Sequence, residues 1–149
     1  MIRHLTAALV LALPAAAHEF RAGGLTIEHP VIYAAPPTAK VAAGYLTIRN
    51  DGEAAERLTG VTVEGAAAEF HRSEMEDGVM TMSPVEAIDV PAGGEAALAP
   101  GGFHVMITGL PEGPAEGASL DGTLTFERAG EVAITFTVEP RGDGDHSDH

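Results

Sequence analysis

With 149 residues, no cysteine and a formal net charge of −14, the chain is long enough for one domain with a true core and has no disulfide framework. That charge argues against binding nucleic acid through its phosphates and disfavours docking on an anionic membrane, whereas a metal cation or a basic-faced partner is attracted. Hydrophobic residues make up 45 % of the chain but aromatics only 5 %, so Leu, Ile, Val and Ala must fill the core.

Residues 1–17 have the form of an export signal: Arg3 and His4 begin it, Leu5 to Leu13 is a short apolar run, Pro14 breaks it, and Ala15-Ala16-Ala17 is a small-residue cleavage site. Cleavage there makes His18 the first mature residue, and the expected organisation is a signal peptide over 1–17, a β-sandwich domain over 18–140 and a disordered tail over 141–149. No later apolar run has membrane length, so the expectation is a periplasmic protein without stable membrane insertion.

Within the domain, Gly and Pro recur at short intervals and separate strand-like runs, which fits an all-β sandwich. Strands are expected over 24–29, 42–50, 57–64, 67–72, 79–82, 85–90, 95–99, 103–110, 123–128 and 132–139, with an extended connection over 31–37. Asp51-Gly52 and Asp77-Gly78 are turn signals, and a short helical stretch is expected around 72–77.

Four residues carry the chemistry: His71, Met82, His104 and Met106, spaced H-x10-M-x21-H-x-M. Residues two apart on a strand share a face, so His104 and Met106 project outward together while Phe103, Val105 and Ile107 face the core. H-x-M alone is a common accident of spacing, and methionine alone is more often a gap-filler in a core. Met75, Met80 and Met82, however, crowd into eight positions beside the Asp77-Gly78 turn that folds Met82 back toward His71. Met80 could back up the site, and Met75, four residues from His71, would meet that residue only on a helix. Imidazole and thioether are neutral donors, and thioether selects Cu(I) over harder divalent ions. Without a cysteine thiolate, an electron-carrying blue-copper centre is excluded. The expectation is a protein that holds Cu(I) and passes it on.

His18, as a mature N-terminus, offers an amine–imidazole chelate for Cu(II), or simply begins a flexible leader; the leader is the more economical reading. His146 and His149, among Asp143, Asp145 and Asp148, fit a mobile Cu(II) scavenger and a solvated end equally well. His29 is read as structural.

On these motifs the chain resembles the PCu(A)C family of periplasmic copper chaperones. Residues 44–50 (GYLTIRN) resemble the family's early strand, His71 with residues 75–82 (MEDGVMTM) its ligand turn, residues 91–106 its second ligand segment, and residues 124–127 its closing hairpin. The likeness runs over about residues 25–138, and residues 27–37 lack the Trp and Arg found in many relatives. The resemblance implies a cupredoxin-like Greek-key β-sandwich, Cu(I) ligands at His71, Met82, His104 and Met106, and delivery to the binuclear copper site of cytochrome c oxidase subunit II. Holding and passing on Cu(I) needs no catalysed bond chemistry, so an enzyme is not expected. Rival readings are a copper buffer without a dedicated acceptor, a copper oxidase-type enzyme built on His18, and a plain β-sandwich interaction module.

Overall fold

The computed structural model describes residues 19–140. The expected signal peptide over 1–17 and tail over 141–149, and His18, His146 and His149, lie outside the described residues. The described residues form eleven strands and no helix: β1 (Glu19–Ala22), β2 (Leu25–Tyr33), β3 (Val41–Asn50), β4 (Glu56–Val63), β5 (Ala67–Glu76), β6 (Val79–Pro84), β7 (Ile88–Val90), β8 (Glu95–Leu98), β9 (Phe103–Thr108), β10 (Ser119–Phe126) and β11 (Gly130–Glu139).

They hydrogen-bond in the order β6-β5-β9-β8-β3-β2-β11-β10-β4-β7, with β1 added beside β2 and β9 also pairing β3. The β2–β11 and β8–β9 pairs are parallel and the other pairs antiparallel, so the sheet is mixed. It folds over on itself into a sandwich. Phe70, Val105, Ile107, Leu46, Ile48 and Leu98 enter the core from one half, and Leu58, Val61, Leu124, Phe126, Ile134 and Phe136 from the other. Alternation along β11 is regular: Val132, Ile134, Phe136 and Val138 are buried and share one face.

Three local results differ from the sequence expectation. The stretch 72–77 is not helical, because β5 continues to Glu76 and turns directly into β6. Asp77 and Gly78 have φ of 50° and 79°, the two left-handed residues of a type I′ turn, whose twist matches that of the strands it joins. Second, β2 does not stop at residue 29. A bulge between Glu28 and Val31 absorbs His29, at φ 48°, and Pro30, and pairing resumes beyond it. The imidazole of His29 meets Glu139 Oε2 at 3.1 Å, the structural use expected of it. Third, β1 is a strand that the sequence pattern did not single out, closed onto β2 by Gly23 and Gly24.

Glu56 ties the far end of the sandwich together. Its buried carboxylate accepts the backbone N–H groups of Arg57 and Arg128 at 2.9 Å each and of Ala129 at 3.0 Å, which locks the β10–β11 turn onto β4. Burial pushes its pKa up, but the three backbone donors and the Arg128 charge outweigh this and hold it below the usual carboxylate value. A carboxylate depressed on folding contributes fully above its unfolded pKa, and the contribution is lost as pH falls through the folded value. Glu56→Gln is therefore expected to cost about 1–3 kcal/mol near neutral pH. Urea unfolding at several pH values checks this, and the gap to the parent should narrow as the medium becomes acidic.

Candidate metal centre

The site is built from strand register. β5 pairs β9 with His71 directly opposite His104 and Glu69 opposite Met106; on its other edge β5 pairs β6 with Ser73 opposite Met82 and Met75 opposite Met80. Directly opposed residues share a face. The outer face of this three-stranded ribbon thus carries His71, His104, Met82, Met106, Met75 and Met80, while Phe70, Val105 and Ile107 point into the core. The outward projection expected of His104 and Met106 is what the alternation gives.

The two imidazoles face each other with ring centroids 5.9 Å apart. Their free nitrogens can be deduced from their partners. His71 Nε2 lies 2.9 Å from Glu69 Oε1, and a carboxylate can only accept, so in the neutral ring Nε2 holds the proton and Nδ1 the lone pair. That Nδ1 is buried and has no hydrogen-bond partner, which is costly for a polar atom unless something else occupies its lone pair. His104 Nδ1 faces the carbonyl oxygen of Gly102 at 3.4 Å, so its proton sits on Nδ1 and its lone pair on Nε2. Second partners of this kind fix which nitrogen a metal-binding histidine presents.

A cleft of about 350 Å³ opens over this face, lined by Tyr33, Tyr45, Ser73, Met80, Met82, His104 and Met106 among others. The Tyr45 ring stands 6.4 Å from that of His104 and 5.4 Å from that of Tyr33, which walls the site on the β3 side. Ser73, buried, lies between Met82 and β9, where its N–H bonds Gly102 O at 3.0 Å; a longer side chain there would stand between Met82 and His104. A larger open depression of about 540 Å³, around Phe20, Thr62, Asp121 and Thr135, has no histidine or methionine in its lining.

The site is less open than the expected exposed one. His104 is only 3 % accessible, whereas Met82 is 56 % accessible, so the pocket has a closed histidine end and an open methionine end. Met75 shares the face but does not meet His71: on a strand, four residues separate them by roughly 13 Å. Glu69, Ser73, Tyr33 and Tyr45 were not singled out from sequence. Only Glu69 left a signal there, since E-x-H in a strand puts both side chains on one face. Among the described residues there is no group of three His, Cys, Asp or Glu that could hold a metal ion. The donor set is two imidazoles and methionines, all neutral, suited to a soft monovalent ion.

The comparisons with known proteins agree with this architecture. The family described as "Putative lipoprotein LpqE-like" matches residues 25–138. A relative named "Putative lipoprotein Lxx21020", of Leifsonia xyli subsp. xyli, is 28 % identical over 99 residues, 65 % of this chain, and the match spans 60 % of that relative's length. Among solved structures, the copper-bound PCuAC domain from PmoF2 is 30 % identical, with a TM-score of 0.70 over 83 % of this chain and 99 % of that one. The CuI form of DR1885 from Deinococcus radiodurans is 25 % identical, with a TM-score of 0.58 over 87 % of this chain and 86 % of that one. The sandwich is cupredoxin-like, and the chain belongs to the LpqE-like family of PCuAC proteins.

Proposed function

We propose that this protein is an exported copper chaperone that holds one Cu(I) between His71, Met82, His104 and Met106 and passes it on by ligand exchange. The observation that carries the reading is the buried, unpartnered Nδ1 of His71, set opposite His104 on the face that bears the methionines. Copper-bound relatives of the same fold, the PmoF2 domain and the DR1885 protein, support it. The family's description as lipoproteins supports export, and among the described residues no helix is long and apolar enough to cross a membrane. The acceptor we propose is the binuclear copper site of cytochrome c oxidase subunit II.

The residues divide the work. Buried His104 and half-buried His71 supply fixed nitrogen donors whose other ring nitrogens are already engaged. Met106 lies beside them, and Met82 closes the open end from a neighbouring strand. Thioether donors carry no proton at any biological pH, so exchange of sulfur for an acceptor's ligand moves neither a proton nor an electron. Cu(I) is cargo throughout and no bond chemistry is required. The exposed Met82 is the ligand that an acceptor reaches first.

A competitive Cu(I) titration tests the site. Met82→Leu is expected to weaken binding and His104→Ala to weaken it more, because the latter also opens a buried position; unchanged affinity in both would remove the site. Transfer followed by NMR, from the loaded protein to an isolated oxidase copper domain, tests the chaperone role. A mere buffer would load that domain no faster than a small chelator of equal affinity.

Glu69 allows a finer check. Glu69→Ala frees the His71 ring to take either tautomer and to turn, and is expected to weaken Cu(I) binding by about tenfold. Glu69→Gln keeps an acceptor oxygen for Nε2–H and should recover most of that loss in the same titration.

A further inference from the structure

We propose that Met75 and Met80 form a second, outer Cu(I) site, a thioether pair at the tip of the β5–β6 hairpin that receives the ion and hands it to Met82. The proposal rests on the reading of the inner site as copper-holding. Its starting point is exposure. The large hydrophobic side chains exposed among the described residues are Val41, Met75, Val79, Met80 and Met82, at 51 %, 63 %, 60 %, 50 % and 56 %. Four of the five sit on this one hairpin, and the fifth, Val41, lines the same cleft. Scattered exposed apolar residues need no explanation, but a cluster on an edge hairpin does.

The composition of the cluster is informative. All four methionines among the described residues, Met75, Met80, Met82 and Met106, lie on the face that carries His71 and His104. The reverse face of the hairpin carries Arg72, Glu74, Glu76, Thr81 and Ser83, with Val79 as its one apolar residue. If the hairpin were only a solvated loop, nothing would place all three of its thioethers on one side. If the exposed face were only greasy, leucine or valine would serve as well. Thioether is the one apolar side chain that is also a soft donor.

Register supplies the geometry. Met75 and Met80 are direct cross-strand partners. Such partners hold their Cβ atoms about 4.5–5.5 Å apart, and each sulfur lies two bonds further out on a flexible stem, so both can close on one ion between them. Met82 is the next residue on that face of β6, roughly 7 Å along the strand, and lines the cleft with His104 and Met106. An ion held by the pair can therefore bind Met82 before leaving Met75, then gain the inner donors before leaving Met80. Each step exchanges one neutral donor for another. The ion stays Cu(I), and no proton or electron is transferred. Glu74, Glu76 and Asp77 beside the tip favour arrival of a cation.

The test uses the full mature chain and a Met75→Leu/Met80→Leu double variant, a substitution that conserves volume on an exposed surface. Copper is supplied as a Cu(I)–bicinchoninate complex, and methionine methyl groups are followed by NMR. The expected result is that the variant still binds one equivalent but loads roughly tenfold more slowly, the lower end of what a supporting group is worth at a metal site. In the parent, the Met75 and Met80 methyl signals are expected to shift together when copper exceeds one equivalent. Equal loading rates with no second-equivalent shift, while Met82 and Met106 still respond to the first, would overturn the outer site and leave the inner one standing. A parent that binds no Cu(I) would instead overturn the chaperone reading itself. A variant that loads normally but no longer associates with an acceptor would make the tip a protein-docking surface, and would also overturn the proposal.

Discussion

The register of three strands is the constraint on which the site depends. A strand alternates its side chains with period two, so a slip of one residue between β5 and either neighbour would turn Met82, or the His104 and Met106 pair, to the opposite face. Asp77 and Gly78 oppose this on the β6 side, because both sit at positive φ and close a type I′ two-residue turn whose twist matches that of its strands. On the β9 side the core prevents it: Phe70, Val105 and Ile107 are almost fully buried, and a slip would expose them. The ligand face is thus fixed by what lies behind it. The same packing explains why Gly44 stands opposite Val105, since a Cβ there would come within 3.2 Å of the Phe136 ring and 3.4 Å of Val105 Cβ.

The fold then grades access across a single face. His104 sits under Tyr45 and next to the turn at Gly102, His71 is half-buried against Glu69, and Met82 stands at the rim. In the proposed site the imidazole donors are held by hydrogen bonds to their second ring nitrogens, whereas Met82, the donor proposed to let go, is a flexible thioether with little packed around it. Rigidity at one end and adaptability at the other suit a cargo that must be held against loss yet surrendered to a competing ligand.

Much of this was legible in the residues, and the part that was not has a common cause. The outward pair His104 and Met106 followed from alternation, because alternation is a local property of a strand. The Asp77-Gly78 turn followed from side-chain chemistry. The helix expected over 72–77 did not form because the turn signal beside it, and the pairing of β5 with both β6 and β9, outweighed a weak local preference. That His71 would stand opposite His104 depends on pairing between segments distant in sequence, which no local pattern encodes. The burial of His104 depends likewise on Tyr45, brought from β3. Pro30 looked like the end of a strand, yet the bulge at His29 carried the sheet past it, since a bulge is where a strand tolerates proline.

An exposed apolar edge strand is ordinarily a hazard, because its unpaired backbone groups and apolar side chains invite pairing with another chain. β6 ends the sheet, and all six of its residues are exposed. Several features of the chain limit the risk without removing the methionines. The strand is short, Pro84 removes a donor at its end, and a net charge of −14 makes copies of the protein repel one another. Leu or Thr in place of Met80 and Met82 would leave these protections intact, and Thr would lower the hazard further. Sequence economy alone therefore does not account for sulfur at the rim. The proposed soft ion, met, held and released at this edge, does.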